Sequence, residues 1–294
     1  MTPVLLALAS AALFALGSAL QHRSAGSASS SSKRRMAATL LRRPGWLLGA
    51  ALCATAFGLH AAALARGDLT VVQPVILTGI VFAVFARAAI EGRRPGRREM
   101  FWAVVTWAGL VLVIALLITG EPRPPDLSEA VIMVVVGAAA VGLVGLLAHR
   151  ARSRRLARGV LLAAGAGVLF GLIAGLVKLS LVDVHGLADL LTRWSLWAVM
   201  VLGAWAILSN QRAYQSTRLS VSAPVLNLCQ LAVSMGFGLV VFDERLFTSP
   251  AGLVGVCLGL GLMVLGVLRL GSIAAASSSS SSPSVVAEEA QPTS

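Results

Sequence analysis

The residues of this chain with chemistry to offer lie within, or at the ends of, apolar runs. Leu69–Leu77 reads LTVVQPVIL and Leu219–Asn227 reads LSVSAPVLN. In the first stretch Gln73 brings an amide that must find a hydrogen-bond partner in an apolar setting. Pro74, beside it, removes a backbone donor and frees a carbonyl one turn back. Thr70 shares a face with Gln73, and Pro224 repeats the proline in the second stretch. From there a polar stripe continues. Ser220, Asn227, Gln230 and Ser234 fall at offsets 0, 7, 10 and 14, which is one side of a helix. Lipid cannot satisfy such a stripe, so it reads either as a wall that hydrogen-bonds a solute or as hydrogen bonding between helices.

His60 is the one histidine well inside an apolar run. It reads as a proton-linked switch or ligand contact, or as a packing residue bonded to a backbone carbonyl. Asn210, beside Gln211, is its counterpart 150 residues on. Three charged residues mark run ends. Lys178 is expected to snorkel to the interface, and Glu91 and Glu244 to pair with Arg93 and Arg245. No Asp or Glu stands near the middle of a run, and HExxH, P-loop, GxSxG and metal-spaced His/Cys patterns are missing. Nothing here supports an enzyme, a cofactor or a bound metal.

The elements that must position these residues follow from composition. Of 294 residues, 57% are hydrophobic and 12% charged, with a mean hydropathy of +0.86; a soluble domain carries about 25% charged residues. Apolar runs long enough to cross a bilayer core of about 30 Å recur along the chain. The fold class is an all-α polytopic membrane protein. Nine transmembrane helices are predicted, at about 3–20, 45–65, 69–90, 101–119, 128–148, 159–180, 187–209, 218–242 and 251–269. The opening MTPVLLALASAALFALGSAL lacks a basic n-region and reads as the first span, not as a signal peptide.

With these boundaries, nineteen Lys and Arg residues fall on one side and five on the other. The positive-inside rule then places the N-terminus outside and the C-terminus in the cytoplasm, in a multi-pass protein of the cytoplasmic membrane. The net charge of +12 therefore belongs to cytoplasmic loops, and nucleic acid is not an expected partner. The expected partners are the lipid bilayer and a small-molecule or ion substrate, and a homodimer is compatible. Cys53, Cys229 and Cys257 lie inside apolar runs, as packing residues do.

A repeat explains the proline pair. ARGDLTVVQPVIL (Ala65–Leu77) aligns with QSTRLSVSAPVLN (Gln215–Asn227), and ALFALGSALQHRSA (Ala12–Ala25) with VLFGLIAGLVKLSL (Val168–Leu181). Glu91 and Glu244 then stand at matching ends, Lys178 pairs with His22, and the three matches have offsets of 150, 156 and 153. Two four-helix repeats joined by one linker helix (4+1+4) must run in inverted topology, an arrangement typical of secondary transporters. The expected organisation is residues 1–120 as the first repeat, 121–158 as the linker span with a basic cytoplasmic loop, 159–270 as the second repeat, and 271–294 as a disordered Ser-rich cytoplasmic tail. Pro74 and Pro224 should then lie near opposite ends of the bundle.

The run from LFALGSALQH through GLHAAALARGDLTVVQPVIL to a Glu before a basic loop resembles the drug/metabolite transporter (DMT) superfamily, the EamA-like carriers. NQRAYQSTRLSVSAPVLN to VFDERL, followed by a Gly-rich last span, is similar to the end of that family's repeat, with Pro224 and Glu244 at its positions. A nine-span layout with a shortened first unit looks like the NIPA-type magnesium transporter branch, although His60 stands where that branch has an Asn. The resemblance implies transport of a small solute by alternating access, or of Mg²⁺ by the NIPA-like reading. A non-transporting membrane scaffold or assembly protein is the reading from another class.

Overall fold

A computed structural model describes residues 1–26, 43–90, 92–116, 124–151, 153–216, 219–244 and 249–280. Among these, all regular structure is α-helical. That is what long apolar runs require, because an isolated segment in lipid must satisfy its backbone internally. The helices are α1 (Thr2–Gly26), α2 (Pro44–Leu64), α3 (Leu69–Leu77), α4 (Gly79–Ile90), α5 (Arg97–Leu116), α6 (Leu127–Arg150), α7 (Arg155–Leu181), α8 (Leu187–Thr192), α9 (Trp194–Ser216), α10 (Leu219–Val241) and α11 (Pro250–Ser280).

Among the described residues, eight segments are long and apolar enough to cross a membrane, with α3 and α4 together forming one of them. The expected span at 187–209 falls short. Its residues divide into the short α8 and the 23-residue α9. α9 carries Trp194, Trp197 and Trp205 and closes on the polar run SNQRAYQS, which lowers its hydropathy. A second boundary moves as well. α11 continues through AAASSSS to Ser280 instead of ending near 270, since neither Ala nor Ser breaks a helix. Residues 281–294 lie outside the described part.

The ends of the helices have local causes. Pro44 begins α2 at the first helical position, where its missing N–H costs nothing. Pro74 lies inside α3, and the helix ends three residues later, where Thr78 donates its N–H back to Val75 O at 3.1 Å in a tighter turn. Pro224, by contrast, lies inside an unbroken α10. α10 itself ends in a left-handed turn: Asp243 has φ +46°, and Glu244 N–H reaches back to Gly238 O at 3.1 Å.

Asp126 caps α6, its Oδ1 accepting from Ser128 Oγ at 2.5 Å, Ser128 N at 2.8 Å and Glu129 N at 3.2 Å. The Ser128 hydroxyl first, and the two amides after it, hold the Asp126 carboxyl below its usual value. A lowered carboxyl contributes stability above its unfolded pKa and loses it as pH falls through the folded one. Asp126→Ala should therefore melt earlier than wild type at neutral pH, and the gap should close on acidification. Equal gaps at both pH values in thermal denaturation of the detergent-solubilised protein would remove the cap's role.

The helices pair in an order that recurs. α1 packs antiparallel on α2, with Ser10 Oγ donating to Ala56 O at 2.7 Å and Gly17 against Gly49. α7 packs on α9 in the same way, with Ala163 and Ala166 near Ala213 and Ser180 Oγ bonded to Ser195 Oγ at 2.8 Å. α1 runs in the same direction as α4, Ala11 lying beside Gly79 and Arg23 donating to Ile90 O at 3.1 Å. α7 likewise runs with α10, Gly167 beside Leu226 and Gly175 beside Phe237. α5 and α11 face each other antiparallel through Gly109, Gly259 and Gly266. The fully buried side chains between these pairs include Leu64, Leu69, Val72, Leu169, Leu176, Phe237 and Met263.

Candidate functional site

α3 crosses α10 antiparallel, so its first residue meets the far end of α10, where Gly238 and Glu244 lie. Glu244, aimed back by the left-handed turn at Asp243, accepts from Leu69 N at 2.8 Å with Oε1 and from Thr70 N at 2.9 Å with Oε2. The carboxylate thereby satisfies two of the orphan donors of the α3 N-terminus and complements its dipole. Lys178, in the last turn of α7, donates to the same Oε1 at 2.7 Å. Its Nζ also lies 3.6 Å from Asp68 Oδ1 and 4.5 Å above the ring of Phe242. Lys178 and Glu244 are each 9% exposed.

One expectation gives way here. Lys178 does not snorkel: two carboxylates and an aromatic face receive it inside the protein, so its ammonium has no need of the interface. Glu244 pairs with Lys178 across 66 positions, and its expected partner Arg245 lies outside the described residues. Glu91 lies outside them too. Arg93, its expected partner, makes a bidentate pair with Glu99 at 2.9 and 3.1 Å. Asp68 and Phe242 were not singled out from the sequence. An acidic residue one position before an apolar run was the available signal for Asp68.

The sequence-predicted polar residues fall into two groups. Thr70 and Gln73, on α3, are almost fully buried, and His60 lies on α2. His60 and Gln73 are each four residues from the ends that meet at the Arg66–Gly67 turn, and so lie one helical turn inside the Lys178 end. Asn210 is placed toward the opposite end of the bundle, six residues before the end of α9. Four atoms, His60 Nδ1, Thr70 Oγ1, Gln73 Nε2 and Asn210 Oδ1, are buried with no hydrogen-bond partner among the described residues. A buried polar atom left so costs about 1–3 kcal/mol.

The α10 stripe behaves differently. Ser234 is fully buried and donates to Leu231 O at 3.0 Å, one turn back in its own helix. Asn227 and Gln230 are half-buried, with no side-chain bond among the described residues. The Ser220 side chain lies outside them. Pro74 and Pro224 are both buried and near opposite ends, as expected: Pro74 is one turn from Glu244, and Pro224 lies 3.6 Å from the position a Cβ on Gly271 of α11 would take. Among the described residues no three His, Cys, Asp or Glu side chains converge as metal ligands.

The chain is similar to an uncharacterised protein of Corynebacterium glutamicum. The two are 29% identical over 273 residues, which is 91% of this chain and 93% of the relative. The likeness therefore spans both halves of the bundle. No family model and no solved structure matches the chain.

Proposed function

We propose that this chain is a secondary transporter or facilitator, moving a small solute across the cytoplasmic membrane by alternating access between inverted repeats. The repeats are residues 1–120 and 159–270, with α6 as the linker. α9 is proposed as the ninth span. It is 23 residues long, and Met200, Val201, Ile207 and Leu208 are exposed on its surface, apolar as a lipid-facing side must be. The recurrence of the α1–α2–α4 neighbourhood as α7–α9–α10 supports the duplication. The antiparallel crossings of α3 with α10 and of α5 with α11 support the inversion.

The observation that carries the reading is the set of unpartnered buried atoms. Side chains that only glue helices together have partners in the protein. Gln73, Thr70, His60 and Asn210 instead hold donors and acceptors in reserve, and the repeat relates His60 to Asn210 across the bundle. Groups of this kind exchange hydrogen bonds with a polar solute in transit. The Lys178–Glu244 pair closes one end by tying α7 and α10 of the second repeat to α3 of the first. It stands in the position of a gate, and opening that end requires Glu244 to release Leu69 and Thr70.

Reconstitution tests the proposal. Liposomes carrying the protein should take up one class from a panel of labelled amines, amino acids, nucleosides and Mg²⁺ faster than empty liposomes. Gln73→Leu should slow that uptake roughly tenfold, the equivalent of about 1.4 kcal/mol for one lost hydrogen bond, without lowering the melting temperature, because no protein partner is lost. Folded protein that transports none of the panel would favour the scaffold reading, and a Gln73→Leu that melts early would return Gln73 to packing.

A further inference from the structure

At the end of the bundle opposite Lys178, the start of α5 and the last third of α11 border an open hollow of about 400 Å³. Arg98, Trp102, Arg269, Ser272 and Ile273 line it. The Arg269 guanidinium stacks over the Trp102 ring at 5.6 Å, which fixes its direction. Neither Arg98 nor Arg269 has an acidic partner among the described residues. The nearest carboxylate in sequence, Glu99, is committed elsewhere: it is 5% exposed, receives Arg93 bidentately and accepts from Gly96 N at 2.7 Å. The first turn of α5 adds the positive end of a helix dipole beside Arg98. Two guanidinium groups, one of them held by an indole, thus line a hollow with no counter-charge among the described residues.

The apolar neighbours say what kind of anion fits. Phe101 is 59% exposed and makes an edge contact with Trp102 at 5.1 Å; Met100 and Val104 are exposed beside it. The surface next to the pocket is therefore of the kind that faces acyl chains. Tryptophan beside arginine is also the composition of a headgroup-level interface. A free phosphate would use the guanidinium groups and leave Phe101 and Ile273 idle, whereas a phospholipid uses both. The volume lies within the range of small-molecule sites.

The geometry points to a binding site for the phosphate headgroup of an anionic phospholipid, held by Arg98 and Arg269 with its chains along Phe101. This is the Arg-rich end of the bundle, which the charge rule places in the cytoplasmic leaflet, where basic pockets between helices take anionic headgroups. The inference is independent of any solute carried.

Purified protein in mild detergent should show a rise in melting temperature on addition of phosphatidylglycerol. Phosphatidylcholine or inorganic phosphate at the same concentration should give none. Arg98→Gln with Arg269→Gln should weaken the phosphatidylglycerol effect at least roughly tenfold, with the lipid-free melting temperature unchanged. As a second measurement, brominated phosphatidylglycerol should quench wild-type tryptophan fluorescence more than that of Trp102→Phe. A double variant that keeps the full response, a response to phosphate alone, or equal quenching of the two proteins would overturn the assignment.

Discussion

Glu244→Ala is expected to destabilise the protein by about 3–5 kcal/mol, the largest effect of any single side chain in the bundle. The substitution removes three partners together. Lys178 loses the oxygen 2.7 Å from its Nζ, and Leu69 and Thr70 lose the acceptors of their N–H groups. Lys178 is buried, at 9% exposure, so water is a poor substitute for what is lost, and Asp68 at 3.6 Å is a longer contact. Removing one member of a buried pair strands the other, which is why the effect exceeds the net worth of the pair. Two further variants separate these contributions. Glu244→Gln keeps one acceptor for the α3 amides and should lose less. Lys178→Met leaves Glu244 with its two amide donors and should be milder than Glu244→Ala. The double variant Lys178→Met with Glu244→Gln should be more stable than the two separate losses added together, because no charge is left alone. Chemical denaturation in detergent reads all four. A loss below about 1 kcal/mol for Glu244→Ala, or strict additivity in the double variant, would show that the network is not what holds this end together.

The second large effect lies along the seam between α7 and α10. Helices in lipid gain nothing from burying apolar area against each other, so close backbone approach carries their association. A Cβ at Gly167 would lie 2.3 Å from Leu226 O and 2.7 Å from Cys229 Cβ; at Gly171, 2.7 Å from Val233 Cβ; at Gly175, 2.4 Å from the Phe237 ring. At Gly167 the obstacle is a main-chain carbonyl, which has no rotamer to turn into. Gly167→Val should therefore cost about 3 kcal/mol, the upper part of the range for overpacking. Gly142, on α6, has nothing within 4 Å of its Cβ position, and Gly142→Val is the matched control. Two melting curves settle the point: if Gly167→Val unfolds where Gly142→Val does, the seam is looser than its distances indicate.

How far the sequence could be read depended on the range of each interaction. The apolar runs were legible because helix formation in lipid is dictated locally. The lower apolarity of α9 was visible too, in its three tryptophans and polar end, although 187–209 reads as a span in the sequence. Gln73, Thr70, His60 and Asn210 could be picked out because a polar group in an apolar run stands alone in the sequence, and all four hold a buried atom without a hydrogen-bond partner among the described residues. The Lys178–Glu244 pair could not, because it joins positions on helices whose neighbourhood only the fold decides. Each residue lies at a helix end, where a local reading assigns it to water or to the adjacent arginine. The arginine pocket was hidden in the same way: Arg98 and Arg269 were counted toward the charge of one side, and only the α5–α11 crossing brings them together. Where the structure describes no residues, at Glu91 and Arg245, those expectations stand where the sequence left them.

The bond between Glu244 and the start of α3 also has a bearing on biogenesis. The amide of Leu69 and its acceptor are 175 positions apart. At about 5–20 residues per second, a ribosome needs roughly 10 to 35 s to travel between them. Through that interval the nascent chain holds two unsatisfied amides at the head of α3, and after α7 is made it also holds a lysine whose main counter-ion has yet to be synthesised. Membrane insertion of the first seven helices therefore yields an unlocked intermediate, and the next-to-last helix to be translated carries the group that latches it.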